Sequence, residues 1–88
     1  MELKEFIIYS TPSCGYCKQL KSWLSENEIP FTDYDVSQNT EKRKEMVEKS
    51  GHMAVPVSRV VFEEEGDEKE EVVVGFNKGK FSELLGLT

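Results

Sequence analysis

The chain has 88 residues and a formal net charge of −6, with 38% hydrophobic and 32% charged residues. It contains no apolar run near the ~18 residues of a membrane span and no apolar stretch typical of a signal peptide, and its acidic balance argues against a nucleic-acid-binding face. These properties predict one soluble domain over residues 1–88, located in the cytoplasm, with no membrane or nucleic-acid partner.

The first two predicted elements are a strand and a helix. The apolar run at residues 6–9 predicts a strand over Leu3–Tyr9 that is buried on both faces. After the break at residues 10–13, a helix is predicted over Gly15–Asn27, and Pro30 prevents its continuation. Its core-facing stripe consists of Leu20, Trp23 and Leu24.

A second strand and a second helix follow. Apolar residues alternate through Phe31–Val36, which predicts a strand parallel to the first. Asn39 or Thr40 is expected to cap a helix that ends at Ser50. This helix has few apolar residues, so we expect it to pack at the periphery with its basic run at residues 42–44 facing solvent.

The remaining predicted elements are a hairpin and a final helix. Antiparallel strands are predicted over Val57–Phe62 and Glu71–Val74, joined by a polar turn near Gly66. The segment Glu63–Glu71 holds seven acids and one lysine, whereas the rest of the chain has ten acids and ten bases. We interpret this segment as a solvated hairpin tip that protects a sheet edge. The final helix, capped by Asn77, directs its apolar side chains inward: Phe81, Leu84 and Leu85.

The two cysteines, Cys14 and Cys17, lie three residues apart at the start of the first helix. This spacing brings their sulfurs within bonding reach, and the free N–H groups and dipole of a helix N-terminus stabilise a thiolate. Half of a zinc site and two inert buried thiols are the alternatives, but zinc needs about four ligands and the chain adds only His52. We therefore predict disulfide exchange without a metal ion, with Cys14 as the nucleophile and Cys17 as the resolving thiol. Lys18 and Lys21 are expected to stabilise the thiolate further, and the alternative interpretation is that both are ordinary exposed helix residues.

Three motifs of the chain resemble those of the glutaredoxin family, which has the thioredoxin fold. They are the cysteine motif at residues 9–17, Ala54-Val55-Pro56-Val57 and Val74-Gly75-Phe76-Asn77. The resemblance covers nearly the whole chain and implies an α/β fold of order βαβαββα, with a four-stranded mixed sheet flanked by three helices. It also implies an enzyme, a small glutaredoxin-like dithiol–disulfide oxidoreductase that reduces protein disulfides or glutathione-mixed disulfides.

The same resemblance implies further site residues. Pro56 is expected to be cis and to leave the backbone of Val55 free to pair with an extended peptide or with glutathione. Tyr16 is expected to line the cleft. The γ-glutamyl end of glutathione is expected at the turn formed by Gly75, Phe76 and Asn77.

Two positions depart from the family pattern. Thr11 stands where many glutathione-using members have a lysine, and Phe76 replaces the second glycine of a Gly-Gly pair. Both changes weaken the expected glutathione site, so two electron donors stay open, glutathione and a thioredoxin-reductase-like flavoprotein. No bound cofactor is expected, with glutathione only as a co-substrate, and the chain is expected to be a monomer.

Two other functions stay open at this point. Gly15 stands where many family members have proline, and some glutaredoxins with a small residue there hold an iron–sulfur cluster between two subunits. Cys14 together with glutathione would then be the ligands. The second of these two functions is that of a noncatalytic adaptor that docks through the acidic hairpin.

Overall fold

The computed structural model describes residues 2–86, which form seven elements. The strands are β1 (Glu2–Ser10), β2 (Thr32–Asp35), β3 (Val57–Glu64) and β4 (Asp67–Val74), and the helices are α1 (Gly15–Glu26), α2 (Thr40–Ser50) and α3 (Lys78–Leu85). The predicted order βαβαββα is confirmed. None of the helices within this range is long and apolar enough to cross a membrane.

The four strands form one mixed sheet in the order β2-β1-β3-β4. β1 is parallel to β2 and antiparallel to β3, and β3 is antiparallel to β4. Near the end of β1, Tyr9 is paired with Tyr34 of β2 and with Val57 of β3. Val57 is in turn paired with Val74, the last residue of β4. The loop after β1, the loop before β3 and the turn after β4 therefore meet at one end of the sheet.

The sheet separates two apolar clusters. On one face, α1 and α3 pack on the strands through Leu20, Leu24 and Phe81. On the other face, α2 packs through Met46. Because alternate side chains of a strand point to opposite faces, residues 6–10 of β1 contribute to both sides and are all buried. The prediction that this strand is buried on both faces is confirmed.

The second and third helices begin at asparagine caps. The side-chain oxygen of Asn39 accepts a hydrogen bond from the N–H of Lys42 at 3.1 Å. That of Asn77 accepts one from the N–H of Lys80 at 3.0 Å. Each cap satisfies an N–H group that the helix itself leaves without a partner. Of the two caps considered for α2, Asn39 is the one used, and the Asn77 cap is confirmed.

The interpretation of the α2 basic run as a solvated face is wrong for its first residue. The Nζ atom of Lys42 lies 4.3 Å from the ring centroid of Tyr34 and donates to Glu45 at 3.2 Å. Glu45 also accepts a hydrogen bond from the Tyr9 hydroxyl at 2.7 Å, and that hydroxyl accepts one from Arg59 at 3.2 Å. The Tyr9 bond is the main cause that lowers the pKa of Glu45. Polar side chains thus attach α2 to the sheet where apolar contacts are few.

The predicted antiparallel hairpin is confirmed, and its strands extend further into the acidic segment than predicted. The strands meet at the two-residue turn Glu65–Gly66, where φ is 51° and 87°. Positive φ at both central residues gives a tight turn whose twist matches that of the paired strands. The ladder therefore continues to the pair Glu64 and Asp67. Lys69 offsets part of the charge there, because its Nζ lies 3.7 Å from a carboxylate oxygen of Glu64.

Candidate active site

Cys14 and Cys17 lie at the N-terminus of α1 and form a disulfide, with their Cα atoms 5.2 Å apart. Cys14 is the N-cap residue of the helix, and its Sγ accepts a hydrogen bond from the N–H of Cys17 at 3.1 Å. Cys14 is partly exposed, whereas Cys17 is 0% exposed. An incoming sulfur can therefore reach Cys14 far more easily than Cys17.

The surroundings of the Cys14 sulfur suit an anion. The N–H of Cys17 points at this sulfur, and the first turn of α1 has no acidic residue. The exposed side chain of Lys18 adds a positive charge one residue beyond Cys17. Because a helix N-terminus carries partial positive charge and free N–H groups, these features together favour a thiolate at Cys14 once the disulfide is reduced.

Lys21 does not fill the role expected for it. Its Nζ lies 2.9 Å from one carboxylate oxygen of Asp33, and the other oxygen accepts a hydrogen bond from the Ser10 hydroxyl at 2.5 Å. The charge of Lys21 is therefore balanced by β2, and its contact attaches α1 to the sheet. Lys18 is the member of the lysine pair without an ion pair among residues 2–86.

The loop before β3 lies beside the cysteine loop. The Val55–Pro56 peptide bond is cis, as the resemblance implies. The carbonyl of Pro56 accepts a hydrogen bond from the N–H of Gly75 at 2.8 Å, which joins this loop to the turn after β4. Val55 lines a pocket of about 280 Å³ together with Thr11, three residues before Cys14. Within residues 2–86 the backbone N–H and C=O of Val55 make no hydrogen bond, so they are free to pair with an extended segment.

The turn between β4 and α3 is built from Gly75, Phe76 and Asn77. Gly75 has a φ of 87°, in the region that glycine adopts without steric cost. The ring of Phe76 packs on Trp23 of α1, with centroids 6.2 Å apart. The residue that replaces the second glycine therefore joins this turn to α1. The side-chain oxygen of Asn77 accepts the hydrogen bond that caps α3.

A groove of about 350 Å³ lies between α1 and this turn. Trp23 and Phe76 give it aromatic surface, and Lys18 and Lys78 give it positive charge. The structure thus brings Lys18 and Phe76 to one surface. Tyr16 is 66% exposed and, among the described residues, lines neither this groove nor the pocket beside the cis-proline loop.

Sequence reasoning missed Arg43 and Met53. Both line the 280 Å³ pocket beside Val55 and also a second pocket of about 570 Å³ along α2. Met53 is 73% exposed, which is high for a large apolar side chain. Its place just before Ala54 and Val55 is a signal that could have pointed to this surface. Arg43 gives no such signal, because its neighbours depend on how α2 packs on the sheet.

Comparison with known proteins gives a consistent result. The family model for glutaredoxin matches residues 6–62. The chain is similar to an uncharacterized glutaredoxin-like 8.6 kDa protein in the rubredoxin operon of Clostridium pasteurianum. The two are 36% identical over 78 residues, which cover 89% of this chain and 93% of that protein.

Two further proteins are similar over different extents. The glutaredoxin-like protein NrdH of Lactococcus lactis subsp. cremoris is 38% identical over 50 residues, covering 57% of this chain and 68% of NrdH. The crystal structure of the glutaredoxin from Archaeoglobus fulgidus superposes with a TM-score of 0.68 at 27% identity. That superposition covers 92% of this chain and 85% of the other.

Proposed function

The chain belongs to the glutaredoxin family and is a thiol–disulfide oxidoreductase, and we propose that it reduces protein disulfides with Cys14 as the nucleophile and Cys17 as the resolving thiol. The roles of the two cysteines are assigned from one observation. The exposed sulfur is the N-cap of α1 and accepts the N–H of Cys17, whereas the sulfur of Cys17 is buried. A nucleophile needs both access and a stabilised thiolate, and Cys14 has both.

The first step joins the enzyme to its substrate. The Cys14 thiolate attacks one sulfur of a substrate disulfide R–S–S–R′, so that a Cys14–S–S–R bond forms and the S–S bond of the substrate breaks. The other half leaves as R′–S⁻. The backbone of Val55 pairs with the substrate segment next to the attacked sulfur and orients it.

The second step releases the product. The thiol of Cys17 gives up its proton, which goes to the departing R–S⁻, and its sulfur attacks Cys14. The Cys14–Cys17 disulfide forms and R–SH leaves. Two electrons have moved from the dithiol to the substrate, and a donor must return two electrons before the next cycle.

We propose that a thioredoxin-reductase-like flavoprotein is the preferred donor, with glutathione as the weaker one. Thr11 offers no charge to a glutathione carboxylate, and the Phe76 ring packs on Trp23 where the family has an open glycine backbone. In this proposal the enzyme is a cytoplasmic monomer that needs no bound cofactor.

The donor is tested by following NADPH oxidation with a peptide disulfide as substrate. One reaction contains thioredoxin reductase, and the other contains glutathione and glutathione reductase. We expect the thioredoxin-reductase reaction to be at least about tenfold faster, because the glutathione site lacks the lysine charge at Thr11 and the open glycine backbone at Phe76, and each such contact contributes a factor of a few. A faster rate with glutathione would contradict the donor assignment, and no NADPH oxidation in either reaction would count against the reductase itself.

A gain-of-function variant sharpens this test. Thr11→Lys restores a positive charge three residues before Cys14, so the glutathione-dependent rate is expected to rise about fivefold at low glutathione concentration. The thioredoxin-reductase rate of the same variant serves as its control and is expected to change by less than about twofold. Equal rises with both donors would show a general effect on Cys14 and not a repaired glutathione contact.

A further inference from the structure

A groove beside α2 continues from the active site. The pocket that contains Thr11 and Val55 shares Arg43 and Met53 with the larger pocket along α2. The larger pocket runs beside the helix from Thr40 to Glu48, a rise of roughly 12 Å. An extended peptide advances about 3.3 Å per residue, so the groove holds three or four residues beyond the one that pairs with Val55. Glutathione, with one residue on each side of its cysteine, is too short to fill it.

The groove has both apolar and basic side chains. Met53 is 73% exposed, and Val47 lies half-buried beside it in the larger pocket. Arg43 and Lys44 line the same pocket, and neither forms an ion pair with another residue in the described range. Glu48 is the acid among the lining residues, so the groove keeps a net positive charge.

The acids at the tip of the hairpin lie far from this groove, and Glu70, which reaches α2, is paired with Lys49 and Arg59. The hairpin tip at Glu64 is seven residues along β3 from Val57, or roughly 23 Å. Charges in solvent are largely screened beyond about 8–10 Å at physiological salt. The chain is therefore acidic as a whole, whereas the residues that line this groove carry a net positive charge.

We propose that this groove binds the segment of a protein substrate that flanks its disulfide, an extended peptide with an acidic and an apolar side chain. The acidic side chain pairs with Arg43 and Lys44, and the apolar side chain packs on Val47 and the flexible thioether of Met53. The inference rests on the proposed reductase function and adds substrate choice to it. The enzyme distinguishes acidic from basic protein disulfides by contacts that lie outside the cysteine pair.

The proposal is tested with nine-residue peptides that have a central cysteine joined by a disulfide to 5-thio-2-nitrobenzoate. One peptide carries a leucine and an aspartate on each side of the cysteine, and its partner carries lysine in place of aspartate. The Cys14 thiolate forms a bond to the peptide sulfur and releases the coloured thionitrobenzoate anion. Cys17 then gives its proton to the peptide sulfur and displaces the peptide as a thiol. The rate of colour release by pre-reduced enzyme gives the second-order rate constant.

We expect the acidic peptide to react about tenfold faster than the basic peptide at low salt, with a smaller ratio at 0.5 M salt because the charges are exposed. The variant Arg43→Glu/Lys44→Glu is expected to invert the preference. The matched control is Lys4→Glu/Lys69→Glu, which changes the net charge equally at the hairpin end of the sheet. It is expected to keep the wild-type preference within about twofold.

Three outcomes would contradict the proposal that the groove binds the substrate peptide. They are equal rates for the two peptides, an unchanged preference in the α2 variant, or an equal change in the control variant. A glutathione-mixed disulfide of thionitrobenzoate separates a peptide groove from a general attraction of anions. The single variant Lys44→Glu, whose residue lines the larger pocket and not the pocket of Val55, is expected to lose less than threefold with this short substrate, and a loss equal to its loss with the acidic peptide would contradict the peptide groove. No reaction with any disulfide would instead contradict the reductase function.

Discussion

Replacing Cys14 with serine is expected to lower turnover by at least about a thousandfold, because the variant loses the nucleophile that every cycle requires. A serine hydroxyl is hardly ionised near neutral pH and does not form an exchangeable disulfide. Serine is nevertheless a good helix N-cap, so the N–H of Cys17 keeps a partner and α1 begins at the same residue. The loss is measured as NADPH oxidation with the preferred donor, and circular dichroism checks the fold.

The matched control is Cys17→Ser, which keeps the nucleophile and removes the resolving thiol. Its first step is expected to proceed, so that a covalent complex of Cys14 with one half of the substrate accumulates and is visible by mass spectrometry. Cys14→Ser is expected to form no such complex. Small and equal losses of activity in the two variants, or a trapped complex on Cys17, would contradict the assigned roles.

Replacing Phe81 with alanine is expected to destabilise the protein by about 3–5 kcal/mol, the usual cost of deleting a fully buried aromatic side chain. Phe81 is 0% exposed, and its ring centroid lies 5.5 Å from that of Phe6 and 6.1 Å from that of Trp23. A domain of this size has a total stability of about 4–13 kcal/mol, so the variant would be marginal. The free energy of unfolding is measured by urea denaturation. Dithiothreitol is present throughout, because a change in the redox state of the two cysteines during unfolding would otherwise contribute to the measured free energy.

Phe31→Ala is the control for this effect. Phe31 is half-buried and packs against the same apolar cluster, so the same atoms are removed from a site that solvent already reaches. Its loss is expected to be less than half that of Phe81→Ala. Equal losses would mean that Phe81 is not the central packing contact between α3 and the sheet.

Much of the fold follows from local patterns. The continuous apolar run in β1 indicated a strand covered on both faces, and the stripe through Leu20 and Leu24 indicated the buried face of α1. Asn77 indicated the start of α3. These features depend on residues close together in the chain, and the family motifs then implied a four-stranded mixed sheet flanked by three helices, whereas the order of strands in the sheet came from the structure.

The errors arose where distant residues decide the outcome. Lys21 was expected to act on the thiolate, but Asp33 of the neighbouring strand binds it. Lys42 was expected to face solvent, but its ammonium group contacts the Tyr34 ring and donates a hydrogen bond to Glu45. In the hairpin, composition indicated the turn near Gly66 but not the full length of the strands, whereas the positive φ at Glu65 and at the following glycine allows pairing to the tip.

The residues of the candidate site likewise divide into those that the local sequence indicates and those that depend on packing between distant segments. Cys14 and Cys17 lie three residues apart in the sequence and were found by their spacing. The cis bond before Pro56 came from the resemblance and agrees with the structure. The place of Met53 just before Ala54 and Val55 could have pointed to this surface, but the contribution of Arg43 could not be found in advance, because it requires α2 and the loop before β3 to pack side by side.

The most direct test of the central claim is to label the reduced enzyme with a limiting amount of iodoacetamide at pH 6.5 and to locate the label by peptide mass spectrometry. An ordinary cysteine thiol is almost entirely protonated at this pH and reacts slowly. We predict that Cys14 is labelled first and much faster than free cysteine, while Cys17 stays unmodified until the protein is unfolded. Labelling of Cys17 before Cys14, or labelling of Cys14 no faster than free cysteine, would contradict the account of an exposed, stabilised nucleophile at the start of α1.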